Sequence, residues 1–203
     1  MIIKLVKQFN QIQAHERLLA KWVSLSLIPP RPVSVWEVLI PVLFVFSYME
    51  LKQKRELFTL NMLFTKQLAL DAALDMVKDG RSKKDALADV SVKTKDVLAS
   101  DTQKVYSESI RQCQHQEIAL LIDHYQKLFH TRCVDYVEMV IHAYPRLETY
   151  MDFFYRLKAL EKGVTDAAQQ ILGLKIDIPM LNRIESTLEN IRITEAQKIY
   201  ERK

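Results

Sequence analysis

A chain of 203 residues, 49% apolar and 27% charged, has the composition of a globular protein and not of a disordered or collagen-like one. Only 3 glycines and 6 prolines argue against an all-β fold, Gly-rich phosphate loops and low-complexity segments. The net charge of +4 sits in residues 1–32, where Lys4, Lys7, Arg17, Lys21 and Arg31 face Glu16 alone, and the remainder balances; this argues against a nucleic-acid-binding surface.

Residues 2–28 are predicted as a basic amphipathic helix. Ile2, Leu5, Phe9, Ile12, Leu19 and Trp22 recur at helical spacing between lysines and glutamines. Pro29, Pro30 and Pro32 then force an extended break. Ser34 with Glu37 reads as a capping box opening a second helix to about Lys78, interrupted by Pro41. Val38 to Met49 are uncharged and include Phe44 and Phe46; Lys52, Lys54 and Arg55 follow at once.

One helix from Ser34 to Lys78 would be roughly 67 Å long, against a domain about 35 Å across. It must break near Ser47–Lys52 or project. From Leu57 to Val77 it is apolar on most sides, with Thr59, Lys66, Gln67, Asp71, Asp75 and Lys78 as a narrow polar stripe. A helix of that kind belongs in the middle of a bundle.

Asp79-Gly80-Arg81 ends this helix, and Ser82 with Asp85 caps the next, about 83–98. A long helix is expected over 102–131 and a short one over 133–143. Pro145 opens another, which Gly163 stops; Thr165 caps a short helix to Leu172. Leu174 to Ile178 reads as an extended connector, and Asp177 as the cap of a last helix, 178–203. Its Leu181, Ile184, Leu188 and Ile191 could serve a homo-oligomer. The fold class is therefore all-α: a multi-helix bundle around the apolar helix at about 50–78. Leu60, Phe64, Leu68, Leu74, Leu121, Tyr125 and Phe154 are its expected core.

The histidines and both cysteines suggest metal only at first sight. His115, His124 and His130 diverge around one helix, so they cannot share an ion that needs ligands about 2 Å away. They read as boundary or surface histidines, and Cys113 and Cys133 as buried thiols. Asp135, Glu138 and His142 do share a face at i, i+3 and i+7, which makes them the candidate metal ligands. The same stripe is also the ordinary polar side of a helix. Glu-x-x-His, His-Glu-x-x-His, P-loop, dinucleotide and Gly-x-Ser-x-Gly motifs do not occur. No catalytic residue and no cofactor are expected.

Two cysteines cannot make a disulfide framework, and Gln8, Asn10 and Gln11 interrupt any secretory h-region, so the expected compartment is cytosolic. The expected function is that of a non-catalytic interaction or regulatory module. Residues 1–50 would form a docking arm on a 51–203 bundle, meeting a protein partner or an anionic membrane surface. Lys4, Lys7, Lys21, Arg31, Lys52, Lys54 and Arg55 would supply charge, and Trp22, Trp36, Phe44 and Phe46 apolar contact. The rival is a metal-binding or enzymatic bundle built on 113–142; nucleic-acid binding is the third reading.

Overall fold

The computed structural model describes residues 2–28, 41–100, 107–172 and 178–201. These form seven helices and no strand: α1 (Ile2–Leu27), α2 (Pro41–Asp79), α3 (Lys83–Ser100), α4 (Glu108–His130), α5 (Tyr136–Ala143), α6 (Leu147–Leu172) and α7 (Ile178–Glu201). The fold is an all-α bundle. The Pro29–Pro32 break, the Ser34 cap, the 174–178 connector and the Asp177 cap lie wholly or partly outside the described residues, as do Arg31 and Trp36.

Local chemistry sets several boundaries. Gly80, at φ 66°, takes the left-handed position after α2 that glycine adopts without steric cost. The Ser82 hydroxyl accepts from the Asp85 amide at 3.2 Å and donates to its carboxylate at 2.7 Å. Ser107, in an extended conformation, accepts from the Ile110 amide, so α4 starts at Glu108 and not near 102. Asp135 accepts from the amides of Val137 and Glu138, so α5 starts at Tyr136 and not at Cys133.

Of the two alternatives for the long second helix, break or projection, the structure shows projection, and the expected stop at Gly163 is absent. Helix α2 runs unbroken through 47–52. At 39 residues it is roughly 58 Å long, so it extends beyond the main core. Helix α6 runs straight through Gly163. A mid-helix glycine costs about 1 kcal/mol relative to alanine, and contacts on both sides of it outweigh that: Phe153, Phe154 and Leu157 before, Ala167 after. Thr165 is not a cap; its hydroxyl donates to the Glu161 carbonyl one turn back.

The helices bury two apolar clusters. The main one joins Leu5 and Ile12 of α1 to Ala69, Leu70 and Ala73 of α2, the inward face of α4, the aromatic side chains of α5 and α6, and Ala196 and Ile199 of α7. The distal one joins Leu19, Val23 and Leu27 of α1 to Phe58 and Met62 of α2 and to Ile184, Leu188 and Ile191 of α7. Along α1 the main cluster comes first; along α2 and α7 it comes last. Helix α1 is thus antiparallel to both. It packs against each of them. Helix α4 lies against α1, α2, α3, α5 and α6.

One face of α1 packs into the bundle. Leu5, Ile12, Leu19, Ala20, Val23 and Leu27 are buried, so α1 is a core element at both ends of the bundle. The turn after α4 holds it in register: Lys4 Nζ donates to the Thr131 carbonyl at 2.8 Å, and the buried Gln8 amide donates to the carbonyls of Thr131 and Cys133. The expected core needs correction. Leu121, Tyr125 and Phe154 are buried and Leu68 and Leu74 half-buried, but Leu60 is 65% and Phe64 38% exposed. Of the apolar stripe on α7, Ile184, Leu188 and Ile191 pack, half-buried, against the distal cluster.

Candidate functional site: a basic-walled groove beside a buried polar layer

Between the two clusters lies a layer of buried charge. On α1, Glu16 follows Ile12 by one turn and precedes Leu19 by three residues, so helical geometry turns its carboxylate inward. It meets Lys66 of α2 in a buried ion pair and accepts from the Tyr125 hydroxyl at 2.9 Å. Burial works against the charge on Glu16, but Lys66 and His15 outweigh it and hold the carboxyl at about 2. His15 contacts Glu195 of α7 and stacks on Tyr136, with ring centroids 3.6 Å apart. On the far side, Arg192 of α7 makes a bidentate pair with Glu161 of α6 at 2.6 and 2.7 Å. Glu117 of α4 is buried within reach of these charges. Burial and the neighbouring Glu161 raise its carboxyl to about 8, so it is largely neutral at pH 7.

This layer was not read from the sequence. Periodicity puts Lys66 in a narrow polar stripe of the central helix and Glu16 in a basic segment, and both are buried. The signal was spacing: Glu16, Lys66, Glu117 and Arg192 each fall three or four residues from buried apolar neighbours on their own helices. A buried ion pair is weak evidence for stability; its best-attested use is fixing register. Here Glu16–Lys66 ties α1 to α2 at one level.

Above this layer α1 and α2 leave a surface groove of about 970 Å³. Its floor is apolar, from Leu25 on α1 and Leu60, Leu63 and Phe64 on α2. Its walls carry Arg17 and Lys21 on one side and Lys52 and Arg55 on the other, with Glu56 the one acidic lining residue. Lys52 lies 3.8 Å from Glu56. Arg55 donates through Nε and Nη2 to the Ile28 carbonyl at the end of α1, a contact that leaves its charge uncompensated. Among the described residues no carboxylate pairs with Arg17, Lys21 or Arg55. The groove closes at one end with the Gln13–Gln67–Asp71 hydrogen-bond chain.

Of the expected docking residues, the fold brings Lys21, Lys52 and Arg55 together in this groove. Lys54 is exposed nearby, and Trp22, 43% exposed, lies one residue off the groove wall. Lys4 and Lys7 sit elsewhere: Lys4 caps the α4–α5 turn at the opposite end of α1, and Lys7 is exposed close to it. The backbones of Phe44 and Phe46 lie on the first two turns of α2, and their side chains are outside the described residues. Arg17, Leu60, Leu63 and Phe64 are groove residues that the sequence reading missed. The signal was an apolar face on α2 wider than a single neighbouring helix could cover.

The candidate metal residues have other occupations. Asp135 is the N-cap of α5. Glu138 is exposed and contacts Cys133, whose thiol is raised by partial burial and by that carboxylate. His142 is exposed one turn further on. Among the described residues no three His, Cys, Asp or Glu side chains converge on a point that could hold an ion. His124, expected at a boundary or the surface, is 3% exposed, stacked on Phe153 at 4.1 Å. Leu121 and Leu128, one turn either side of it, carried the signal for that burial. Cys113 and Cys133, expected buried, are half-buried free thiols.

No helix among the described residues is long and apolar enough to cross a membrane. Compared with protein-family models, curated proteins and solved structures, the chain matches none.

Proposed function

We propose that this protein is a non-catalytic helical docking module, and that the α1–α2 groove receives an amphipathic helix with acidic flanks from a protein partner. The supporting observation is the combination in one concave surface of exposed Leu25, Leu60 and Phe64 and half-buried Leu63 with Arg17, Lys21 and Arg55, which no carboxylate among the described residues neutralises. Apolar side chains at i, i+3, i+4 and i+7 of a docked helix would fill such a floor, and carboxylates on its edges would meet the walls. The excess of positive charge across the two walls favours encounter with an acidic partner and disfavours a basic one.

An anionic bilayer surface is the competing occupant. It is favoured by Leu18 and Trp22, both more than two-fifths exposed beside Lys21. Concavity favours the helix, because a bilayer surface does not enter a groove between two helices.

A photo-crosslinking residue at position 60 of the full chain, used in cells, would capture the occupant. The expected adduct is an acidic amphipathic segment of one protein. Leu60→Asp and Arg17→Glu should then each weaken the purified complex at least about tenfold, while Lys7→Glu leaves it unchanged. Flotation of the full chain with vesicles containing phosphatidylserine, lost in Leu60→Asp, together with no protein adduct, would replace the helix by a membrane.

A further inference from the structure

A second cleft lies at the other end of the bundle, away from the groove. It has a volume of about 750 Å³ and is enclosed by the last turns of α4, the 131–133 turn, the end of α5 and the first half of α6. That size falls within the range of small-molecule sites. Its floor includes Leu120, Ala143, Phe153 and Tyr144. Phe153 and Tyr144 belong to a stacked aromatic set with His124 and Tyr150, and the Tyr200 hydroxyl, donating to the Tyr144 carbonyl, anchors the end of α5.

His124 gives the floor a polar atom. Its Nδ1 bonds the Tyr144 hydroxyl at 2.9 Å, while the ring lines the cleft. Nε2 is left as the second hydrogen-bonding atom of a side chain that is otherwise buried. Burial holds this imidazole at about 3, so it is neutral at pH 7.

The rim is basic. Lys127, Arg132 and Arg156 surround the opening, with His130 and His142 between them. Lys127 sits 5.0 Å from the centroid of the Tyr144 ring. Two carboxylates share the lining, Asp123 and Asp152. Asp123 is taken by Lys83 at 2.6 Å, outside the cleft. Its charge is therefore met, and three cations face the single carboxylate of Asp152.

We infer that this cleft binds a small organic anion: a flat or ring-shaped apolar body carrying a phosphate or carboxylate. The ring body lies against the Phe153–Tyr144 floor within reach of His124 Nε2. The anionic group lies at the rim, where Lys127, Arg132 and Arg156 supply charge-assisted hydrogen bonds. A neutral ring compound would leave those cations uncompensated, and a bare inorganic anion would leave the floor uncovered. The site shares no lining residue with the groove, so it stands or falls independently of the docking function.

The test uses the full chain and three probes in isothermal titration: 1-naphthyl phosphate, 1-naphthol and inorganic phosphate. The expected result is one site per chain for 1-naphthyl phosphate, with a Kd of about 10–100 µM, and binding at least tenfold weaker for either fragment. Lys127→Gln, Arg156→Gln and Arg132→Gln change exposed side chains. Each of the three should weaken binding about tenfold, with the thermal midpoint unchanged. Leu60→Asp, in the groove, should leave binding unchanged. The inference is overturned by no saturation up to about 1 mM, by naphthol binding as tightly as its phosphate, or by a loss that follows Leu60→Asp and not the rim substitutions.

Discussion

The two ends of this bundle bury apolar surface in different ways. At the main end α4 is surrounded by five other helices, and aromatic side chains of α5 and α6 close the core; Tyr125, Tyr150 and Leu121 are essentially inaccessible. At the distal end, among the described residues, the cluster is built from α1, α2 and α7, and most of it is half-buried. One helix between two others cannot cover all of their apolar faces. The surplus on α2, Leu60 and Phe64, stays at the surface and floors the groove. The same apolar residue types thus make a sealed core at one end and a docking surface at the other; the number of neighbouring helices decides which.

The sharpest way to break this comparison is to remove the helix common to both ends. A chain lacking residues 1–28 loses contacts in both clusters and strips Lys66 of its Glu16 partner and of the helix packed beside it. It should show no cooperative unfolding transition by circular dichroism. A cooperatively folded fragment would restore α1 to the status of an appended arm.

The polar layer between the ends comes next. Glu16→Leu leaves Lys66 buried and unpaired and should cost about 3–5 kcal/mol in urea unfolding. Adding Lys66→Met should recover most of that loss, because two apolar side chains can replace a buried pair. A double variant as unstable as the single one would mean that the layer stabilises the fold and does not merely set register. Within the sealed core, Leu121→Ala should cost about 2–5 kcal/mol.

Proton linkage separates two carboxyls of the same layer. The Glu16 carboxyl is depressed to about 2, so its contribution is present at neutral pH and is lost as pH falls from about 4.5 toward 2. The Glu117 carboxyl is raised to about 8, so the fold binds a proton there that the unfolded chain releases. Stability should therefore fall as pH rises from about 5 to 8 on its account. Glu117→Gln, which mimics the neutral acid, should remove that slope and add ~2–4 kcal/mol at pH 8 relative to the parent. Urea midpoints at pH 5.5 and 8 read the Glu117 effect, and midpoints at pH 2.5 and 4.5 the Glu16 effect; a Glu117→Gln chain with the parent's slope between pH 5.5 and 8 would place the proton elsewhere.

The smallest effect belongs to the open end. Phe64→Ala should cost less than about 1 kcal/mol, because the ring is 38% exposed and little cavity results. A cost above about 3 kcal/mol would mean that the groove is closed in solution.

Helical periodicity was sufficient to establish the all-α class and most helix bodies, because 3.6-residue spacing is a local property that survives packing. The Gly80 stop and the Ser82 cap were legible for the same reason: they satisfy backbone groups a few residues away. Asp135 was visible as a polar residue on a helix face, but its role as a cap depended on where α5 begins, three residues after the expected start. Gly163 misled in the opposite direction, since its local helix penalty is smaller than the packing gained on both sides.

What the sequence alone determined is the set of amphipathic helices and the unequal charge of the first 32 residues. What only tertiary structure decided is where those charges went. Periodicity records which side chains share a face, and it is silent on how many other helices that face will meet. Glu16 and Lys66, 50 residues apart, became a buried pair because α1 and α2 run antiparallel with the two at one level. Lys21 and Arg55 became opposite walls of a groove for the same reason, while Lys4, on the same helix, was drawn to the Thr131 carbonyl at the far end. Pairings of this kind depend on distances between helices, which no spacing within one helix encodes.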